Sequence, residues 1–344
     1  MRLESFAPRL LHWYDEHRRD LPWRSTTDPY RIWLSEIILQ QTRVAQGMPY
    51  YLKFTETFPT VTDLAAADER DVLRLWQGLG YYSRARNLHA TARIVADEYG
   101  GAFPDSYAKL VQLKGIGPYT AAAIASFAWK EKVAVVDGNV FRVLSRIFGI
   151  ATDIATPAAK KEFTELANRL IPADHPDLFN HAIMDFGATQ CVPVSPVCLF
   201  CPFAGDCEAQ ATGRQAELPV KEKKTKVRDR FFHYTVLQSG TRLALKERTG
   251  RDIWSGMYDF WLTETDTPGG KPAGLPADLA ARAEVSPVFT HILSHQKIQA
   301  VFHTVEVPVD FLLPEQLKWY TFEELEDLPK PVLILKYLKE RYQF

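Results

Sequence analysis

The sequence predicts a mainly α-helical first domain followed by a smaller α+β domain. Three observations carry that reading. Apolar residues recur at helical spacing to about residue 210, a charged and apolar-poor stretch runs from Gln215 to Arg230, and beyond Phe231 the apolar period turns towards two. A chain of 344 residues is also long enough for two cores.

Lys plus Arg number 41 against 42 Asp plus Glu, so the net charge is −1 and any basic surface must be local. The amino terminus carries Glu4, Asp15, Glu16 and the run His17-Arg18-Arg19-Asp20, without the apolar centre of a signal peptide. No apolar run approaches the roughly 20 residues that a bilayer requires, and a cytoplasmic protein is expected. The four cysteines, Cys191, Cys198, Cys201 and Cys207, fall in one segment with the spacing C-x6-C-x2-C-x5-C. Disulfides are unusual in a reducing compartment, and one tight group suits a metal or iron–sulfur site. Ligand count alone leaves zinc and a [4Fe–4S] cluster both open.

The first domain opens with an amphipathic stretch, Phe6 to Tyr14, and reaches Leu21-Pro22-Trp23-Arg24. Asp28-Pro29 is a helix start, because aspartate caps and proline suits the first turn. The helix that follows, Tyr30 to Val44, holds Glu36 among apolar residues. A carboxylate buried there would have a raised pKa, as a general acid near neutral pH requires. The competing reading, which the segment alone favours, puts Glu36 on the one wet stripe of the helix. Val61 to Leu75 is again helical, with Thr62-Asp63 as its cap. Leu79 to Leu88 is a glycine turn set with tyrosines and arginines, suited to intruding on stacked bases or to forming a tyrosine-rich core turn.

After a helical segment from Ser106 comes Leu113-Lys114-Gly115-Ile116-Gly117-Pro118-Tyr119-Thr120-Ala121. Two glycines flank one apolar residue, so the backbone there can take φ > 0 and approach a partner closely. The next helix then begins with uncapped N–H groups that suit an anion such as a phosphate backbone, the alternative being an ordinary helix corner. Asp137 in Val135-Val136-Asp137-Gly138-Asn139 reads as a helix cap, as a catalytic carboxylate, or as both. Helices over Ala158 to Leu170 and Pro176 to Gly187 lead into the cysteines. Beyond the linker, Phe232 to Leu237, Leu243 to Lys246 and Ile298 to Val305 read as strands, and Phe322 to Tyr342 as one closing helix or two.

The hairpin Leu113 to Thr120, Asp137 and the spacing Cys191 to Cys207 resemble the helix-hairpin-helix base-excision glycosylases. Within them, Leu34-Ser35-Glu36-Ile37-Ile38-Leu39-Gln40-Gln41-Thr42-Arg43-Val44, with Trp23-Arg24 and Gly78 to Arg86, resembles the MutY-type adenine DNA glycosylases. The likeness covers essentially the whole chain. It implies a helix-hairpin-helix glycosylase domain over 1–213 with a [4Fe–4S] loop at 191–207, a linker over 214–230, and a Nudix-like 8-oxoguanine recognition domain over 231–344.

The resemblance also implies roles. Glu36 would protonate adenine N7, Asp137 would stabilise the oxocarbenium ion, and Tyr119 and Asn139 would hydrogen-bond that pair. Tyr119 stands where endonuclease III-type relatives carry a nucleophilic lysine, which implies a monofunctional enzyme. Trp23 and Arg24 would line the adenine pocket, Gln41 and Tyr81 with Leu79 would enter the duplex, and Arg19, Thr42, Gly115 and Gly117 would hold DNA. Leu293-Ser294-His295 resembles the family's Phe-Ser-His loop, so Ser294 and His295 would sense the oxidised guanine while Leu293 departs from the pattern. His181, another departure, stands where relatives often carry Glu or Gln. The cysteines would hold the [4Fe–4S] cluster. The implied partner is double-stranded DNA with A:8-oxoguanine or A:G mispairs, met by a monomer without a membrane, at a bacterial nucleoid. A Nudix hydrolase is excluded because Glu247, Glu264 and Glu284 are scattered; a non-enzymatic iron–sulfur protein would leave the pairing of Glu36 with Asp137 unexplained.

Overall fold

Residues 3–222, 227–272, 274–314 and 316–343 are described in a computed structural model of the chain. They divide into two compact units, Met1–Ala66 with Ala90–Lys223, and Ala67–His89 with Lys224–Phe344. Among the described residues no helix is long and apolar enough to cross a membrane.

The helices start and stop where capping chemistry places them. They run α1 (Phe6–His17), α2 (Pro29–Leu39), α3 (Val44–Thr57), α4 (Val61–Ala66), α5 (Glu69–Leu75), α6 (Ser83–Tyr99), α7 (Tyr107–Leu110), α8 (Pro118–Trp129), α9 (Gly138–Phe148), α10 (Pro157–Leu170), α11 (Pro176–Asp185) and α12 (Glu208–Ala211). Asp28 accepts from Tyr30 N at 2.9 Å with Pro29 in the first turn, and Thr156 accepts from Ala159 N at 3.2 Å ahead of α10. The helix expected over Tyr30 to Val44 instead ends at Leu39. Gln41 takes φ 55°, a left-handed conformation that no helix continues through. Val61 to Leu75 is likewise two helices, parted where Asp68 is extended.

The first unit is closed around aromatic rings: Phe6 stacks on Phe203 at 4.9 Å between centroids and Phe186 meets Phe203 edge-on at 5.4 Å. Part of the expected linker belongs here. Leu218 O accepts from Arg146 Nε at 3.1 Å and Val220 O from Ile154 N at 3.0 Å, while residues 223–226 lie outside those described.

In the second unit the strands are β1 (Arg228–Ser239), β2 (Arg242–Glu247), β3 (Tyr258–Asp259), β4 (Trp261–Thr265), β5 (Glu284–Val285), β6 (Phe289–Ile292), β7 (Gln296–Glu306) and β8 (Lys318–Thr321). β1 pairs in parallel with β7 over Arg228↔Gln296 to Gln238↔Glu306 and antiparallel with β2 and β4. β7 also takes β5 and β6 antiparallel, and β2 takes β3 and β8. Besides α13 (Ala277–Ala280), two helices close the chain, α14 (Phe322–Glu326) behind a Thr321/Glu324 capping box and α15 (Val332–Tyr342). Pro329 and Pro331 between them forbid one continuous helix. Tyr337 of α15 stacks on Phe302 of β7 at 3.9 Å, which fixes that helix on the sheet.

Residues 67–89 join this unit through specific bonds. Arg86 Nη1 donates to Ser255 O at 2.6 Å, Lys330 N to Gln77 Oε1 at 2.7 Å, and Arg74 pairs with Asp327 at 2.7 Å. Buried Arg230 donates to Asp252 at 2.9 and 2.8 Å, to Glu264 at 2.8 and 2.6 Å and to Gln296 at 3.0 Å. Removing the guanidinium leaves Asp252 with Arg248 at 3.1 Å and Glu264 with Arg228 at 3.6 Å as their remaining arginine partners. Arg230→Ala is expected to cost about 2–3 kcal/mol, below the full penalty of a buried pair because both carboxylates keep contact with water. Urea unfolding of the intact chain measures it.

Candidate active site

α2 is apolar on every side: Tyr30, Ile32, Trp33, Leu34, Ile37 and Ile38 are all buried, so its middle has no wet stripe. Glu36 is therefore buried too, at 8% exposure, and the reading that the segment alone favoured is overturned. It faces a cavity of about 710 Å³ in the first unit, lined also by Trp23, Arg24, Tyr119, Asp137, Asn139 and His181. Burial pushes the Glu36 carboxyl up to about 7; the Tyr119 hydroxyl and Arg24 pull against this and the charge of Asp137 adds to it.

Asp137 caps α9 and lines the same cavity. Its Oδ1 accepts from the backbone N–H of Asn139 at 2.9 Å and Val140 at 2.8 Å, and its Oδ2 accepts from Asn139 Nδ2 at 2.8 Å. Burial raises its carboxyl above the ordinary range against those three donors. Asn139 is held in turn: its Oδ1 accepts from Arg142 Nη2 at 2.7 Å, and Arg142 also donates to Gly187 O at 2.7 Å and Cys191 O at 2.8 Å. A Cβ on Gly187 would stand 2.6 Å from Asn139 Cβ, so only glycine lets the turn after α11 come this close.

A second buried carboxylate, Asp185, was not singled out by the sequence reading. It has no exposed side-chain surface and receives Arg19 Nε at 2.7 Å and Arg24 Nη2 at 2.6 Å. Burial alone would raise its pKa; the hydrogen bonds of Arg24 and Arg19 outweigh that and hold it below the usual range. Arg24 is thereby fixed at the cavity wall. His181 lies flat on Phe127 at 3.9 Å and 5°, and burial with the Arg24 charge lowers it to about 3, so the ring is neutral at physiological pH. Arg142 and Arg146 also went unnoticed, although Asn139, Arg142 and Arg146 share one face of α9 at spacings of three and four, a polar stripe on an otherwise buried helix.

The hairpin is asymmetric. Gly115 has φ 89°, whereas Gly117 is extended at φ −83°, ψ 172°, with open space around it. The positive φ foreseen for the pair is needed at Gly115 alone. α8 begins at exposed Gly117 without a side-chain cap, and Pro118 in its first turn carries no N–H. Gln41 and Thr42 lie at the rim of the same cavity in the turn after α2.

The four cysteines line one small pocket with Arg146 and Gln190. Arg146 Nη1 approaches Cys191 Sγ at 3.5 Å, Phe203 N donates to Cys201 Sγ at 3.4 Å, and Cys207 Sγ lies 3.4 Å from Arg146 O. Arg9 pairs with Asp206 at 2.6 Å and ties this loop to α1. Among the described residues no three His, Cys, Asp or Glu are grouped as a metal ion would need.

The remaining predicted residues sit in the second unit. Leu79, Tyr81, Ser294 and His295 line a cavity of about 580 Å³ with Trp254 and His291. Tyr81 is 42% exposed with φ 49°, while Leu79 is buried at 6% and forms wall rather than tip. Gln41 and Tyr81, both read as entering a duplex, are thus both in strained left-handed conformations, as residues at functional sites can be. Glu264 is bound to Arg230 and Glu284 to Arg341.

Comparison with known proteins agrees with this geometry. Residues 34–169 match the HhH-GPD superfamily of base excision DNA repair proteins and residues 233–340 match the NUDIX domain. An adenine DNA glycosylase of Buchnera aphidicola (subsp. Acyrthosiphon pisum) is 35% identical over 256 residues, covering 74% of this chain and 73% of that protein. One of Rattus norvegicus is 43% identical, covering 94% of this chain and 75% of that protein. Among solved structures, a thermostable thymine-DNA glycosylase superposes with a TM-score of 0.56 at 32% identity, over 60% of this chain and 96% of that one. A trapped endonuclease III–DNA covalent intermediate shares the fold of the first unit, with a TM-score of 0.54 at 21% identity over 61% of this chain and 95% of that one.

The raised carboxyl has a consequence for stability. Ionised Glu36 is disfavoured in the folded chain, so its cost is absent below the unfolded pKa and fully present above about pH 7. Glu36→Gln is expected to stabilise the protein by about 2–3 kcal/mol at pH 8 and by much less at pH 5. Thermal unfolding at the two pH values checks it.

Proposed function

Because the chain belongs to the adenine DNA glycosylases, we propose that it removes adenine mispaired with 8-oxoguanine or guanine in double-stranded DNA, as a monofunctional, monomeric base-excision enzyme. The observation that carries this reading is Glu36, a carboxyl with a pKa near 7 lining one cavity with Asp137. A purine leaves more readily when N7 is protonated, and an acid of that strength is half-protonated at neutral pH.

The reaction follows glycoside logic. The adenine nucleotide is turned out of the stack into the first-unit cavity at a cost of a few kcal/mol. Trp23 offers a flat wall, and His181, neutral on Phe127, offers one donor and one acceptor to the base edge. Glu36 delivers its proton to N7, the glycosidic bond breaks, and Asp137 meets the developing charge at C1′. Three N–H donors aim the Asp137 carboxylate beforehand, so little reorganisation is left to the reaction. Water then adds with help from Glu36. Tyr119 holds a hydrogen bond to Glu36 and, lacking an amine, gives no imine with the sugar. Gly115 and Gly117, with the open N–H groups of α8, grip the backbone of that strand, aided by Arg19 and Thr42.

Cys191, Cys198, Cys201 and Cys207 would hold a [4Fe–4S] cluster. Their gathering about one pocket, and the N–H groups of Arg146 and Phe203 near two of the sulfurs, support that reading. When bound, such a cluster cross-links residues 191–207 through iron–sulfur bonds. In the second unit, Ser294 and His295 read the base opposite adenine and Tyr81 enters the duplex beside it, as Gln41 does from the first.

Purified protein is expected to release adenine from an A:8-oxoguanine duplex, with strand scission only after alkali. Glu36→Gln and Asp137→Asn should each lower the single-turnover rate by about 10²- to 10⁴-fold, and the wild-type rate should fall as pH rises through about 7 as Glu36 loses its proton. A Glu36→Gln enzyme of wild-type rate overturns the mechanism. Iron and sulfide assays test the cluster; stoichiometric zinc without sulfide refutes it.

A further inference from the structure

One side chain at the first-unit cavity has no part in the chemistry above. Met184 stands three positions after His181 on α11, so the two share a face, and both line the cavity that holds Glu36 and Asp137. Met184 is partly exposed there. The next residue, Asp185, is held by Arg19 and Arg24, which pins this end of the helix. From α8, the Tyr119 hydroxyl lies 4.0 Å from Met184 Sδ and is also hydrogen-bonded to Glu36. Burial, with the charges of Glu36 and Asp137, raises the Tyr119 phenol, so it keeps its proton and remains a donor. One hydroxyl therefore stands between the carboxyl and a thioether.

A thioether is a weak acceptor and leaves that hydroxyl to the carboxyl. Oxidation reverses the preference. Hydrogen peroxide transfers one oxygen to the sulfur, which gives up two electrons; the O–O bond breaks, an S–O bond forms and water leaves. The new oxygen is polar and a strong acceptor, and on a sulfur 4.0 Å from the hydroxyl it comes within hydrogen-bond reach of Tyr119. Elsewhere Met257 is fully buried, and Met48 is partly exposed on α3. We propose that Met184 is an oxidation site: peroxide converts it to the sulfoxide, whose oxygen takes the Tyr119 hydroxyl from Glu36 and slows release of the base. This rests on the role given to Glu36 above. A repair enzyme for mispairs of oxidised guanine thereby carries an oxidation-sensitive group beside its own acid.

The test treats the full chain with hydrogen peroxide, as wild type, Met184→Leu and Tyr119→Phe. Peptide mass spectrometry follows the methionines, and single-turnover adenine release from an A:8-oxoguanine duplex is measured before and after. Leu keeps the volume of Met and offers no sulfur. Wild type with Met184 converted is expected to fall about three- to tenfold below its own untreated rate, the worth of one hydrogen bond. Met184→Leu has no sulfur to oxidise there and Tyr119→Phe no hydroxyl to redirect, so each should hold its own untreated rate. Both variants retain Met48 and all four cysteines, so oxidation elsewhere in the chain shows in them equally. A Met184 that peroxide leaves unmodified overturns the proposal. So does a wild type that keeps its rate once converted, or a loss as large in either variant. An untreated wild type that releases no adenine refutes instead the glycosylase reading, and the proposal with it.

Discussion

The first unit depends on how the chain starts one helix. Three N–H groups converge on the Asp137 carboxylate, two from the backbone of α9 and one from Asn139. That arrangement satisfies donors that a helix start would otherwise leave open, and it holds a charged group rigidly at a cavity wall. The bonds that start the helix also aim the carboxylate at the cavity. Through Asn139 and Arg142 they extend to the carbonyls of Gly187 and Cys191, so the geometry of the acid is set by a turn and a loop some fifty residues later in the chain.

The other carboxylates at this site show how neighbours decide the state of a buried acid. Glu36 and Asp185 are both enclosed, yet burial leaves Glu36 holding its proton near neutrality while the arginine hydrogen bonds outweigh burial at Asp185. Glu36 has only a hydroxyl and a more distant guanidinium to help it; Asp185 has two guanidiniums in contact. One fold thus holds a buried carboxyl with a raised pKa and another whose pKa is lowered by its arginine partners.

Much of this was legible from residue order. The capping signal at Asp28-Pro29 marked a helix start, the switch in apolar period marked the second unit, and the aspartate ahead of Gly138-Asn139 marked the cap of α9. Glu36 was ambiguous because a helix buried on all sides has no periodicity from which to infer a wet face. Arg142, Arg146 and Asp185 are harder to read for a different reason. Apart from Asn139, three positions before Arg142, their side-chain partners are backbone carbonyls or residues more than 40 positions away, and a sequence does not display contacts of that kind. The break at Gln41 escaped notice because a non-glycine residue there takes a positive φ that local propensity disfavours.

The membership of residues 67–89 in the second unit means that the units are not consecutive blocks of sequence. The chain leaves the first unit after Ala66, contributes a piece to the other, returns within α6, and departs finally beyond residue 222. A chimera that exchanges only the carboxy-terminal part between relatives would therefore separate Arg86 from Ser255, Gln77 from Lys330 and Arg74 from Asp327. The unit of exchange, whether in a designed hybrid or in descent, is a pair of segments that must change together.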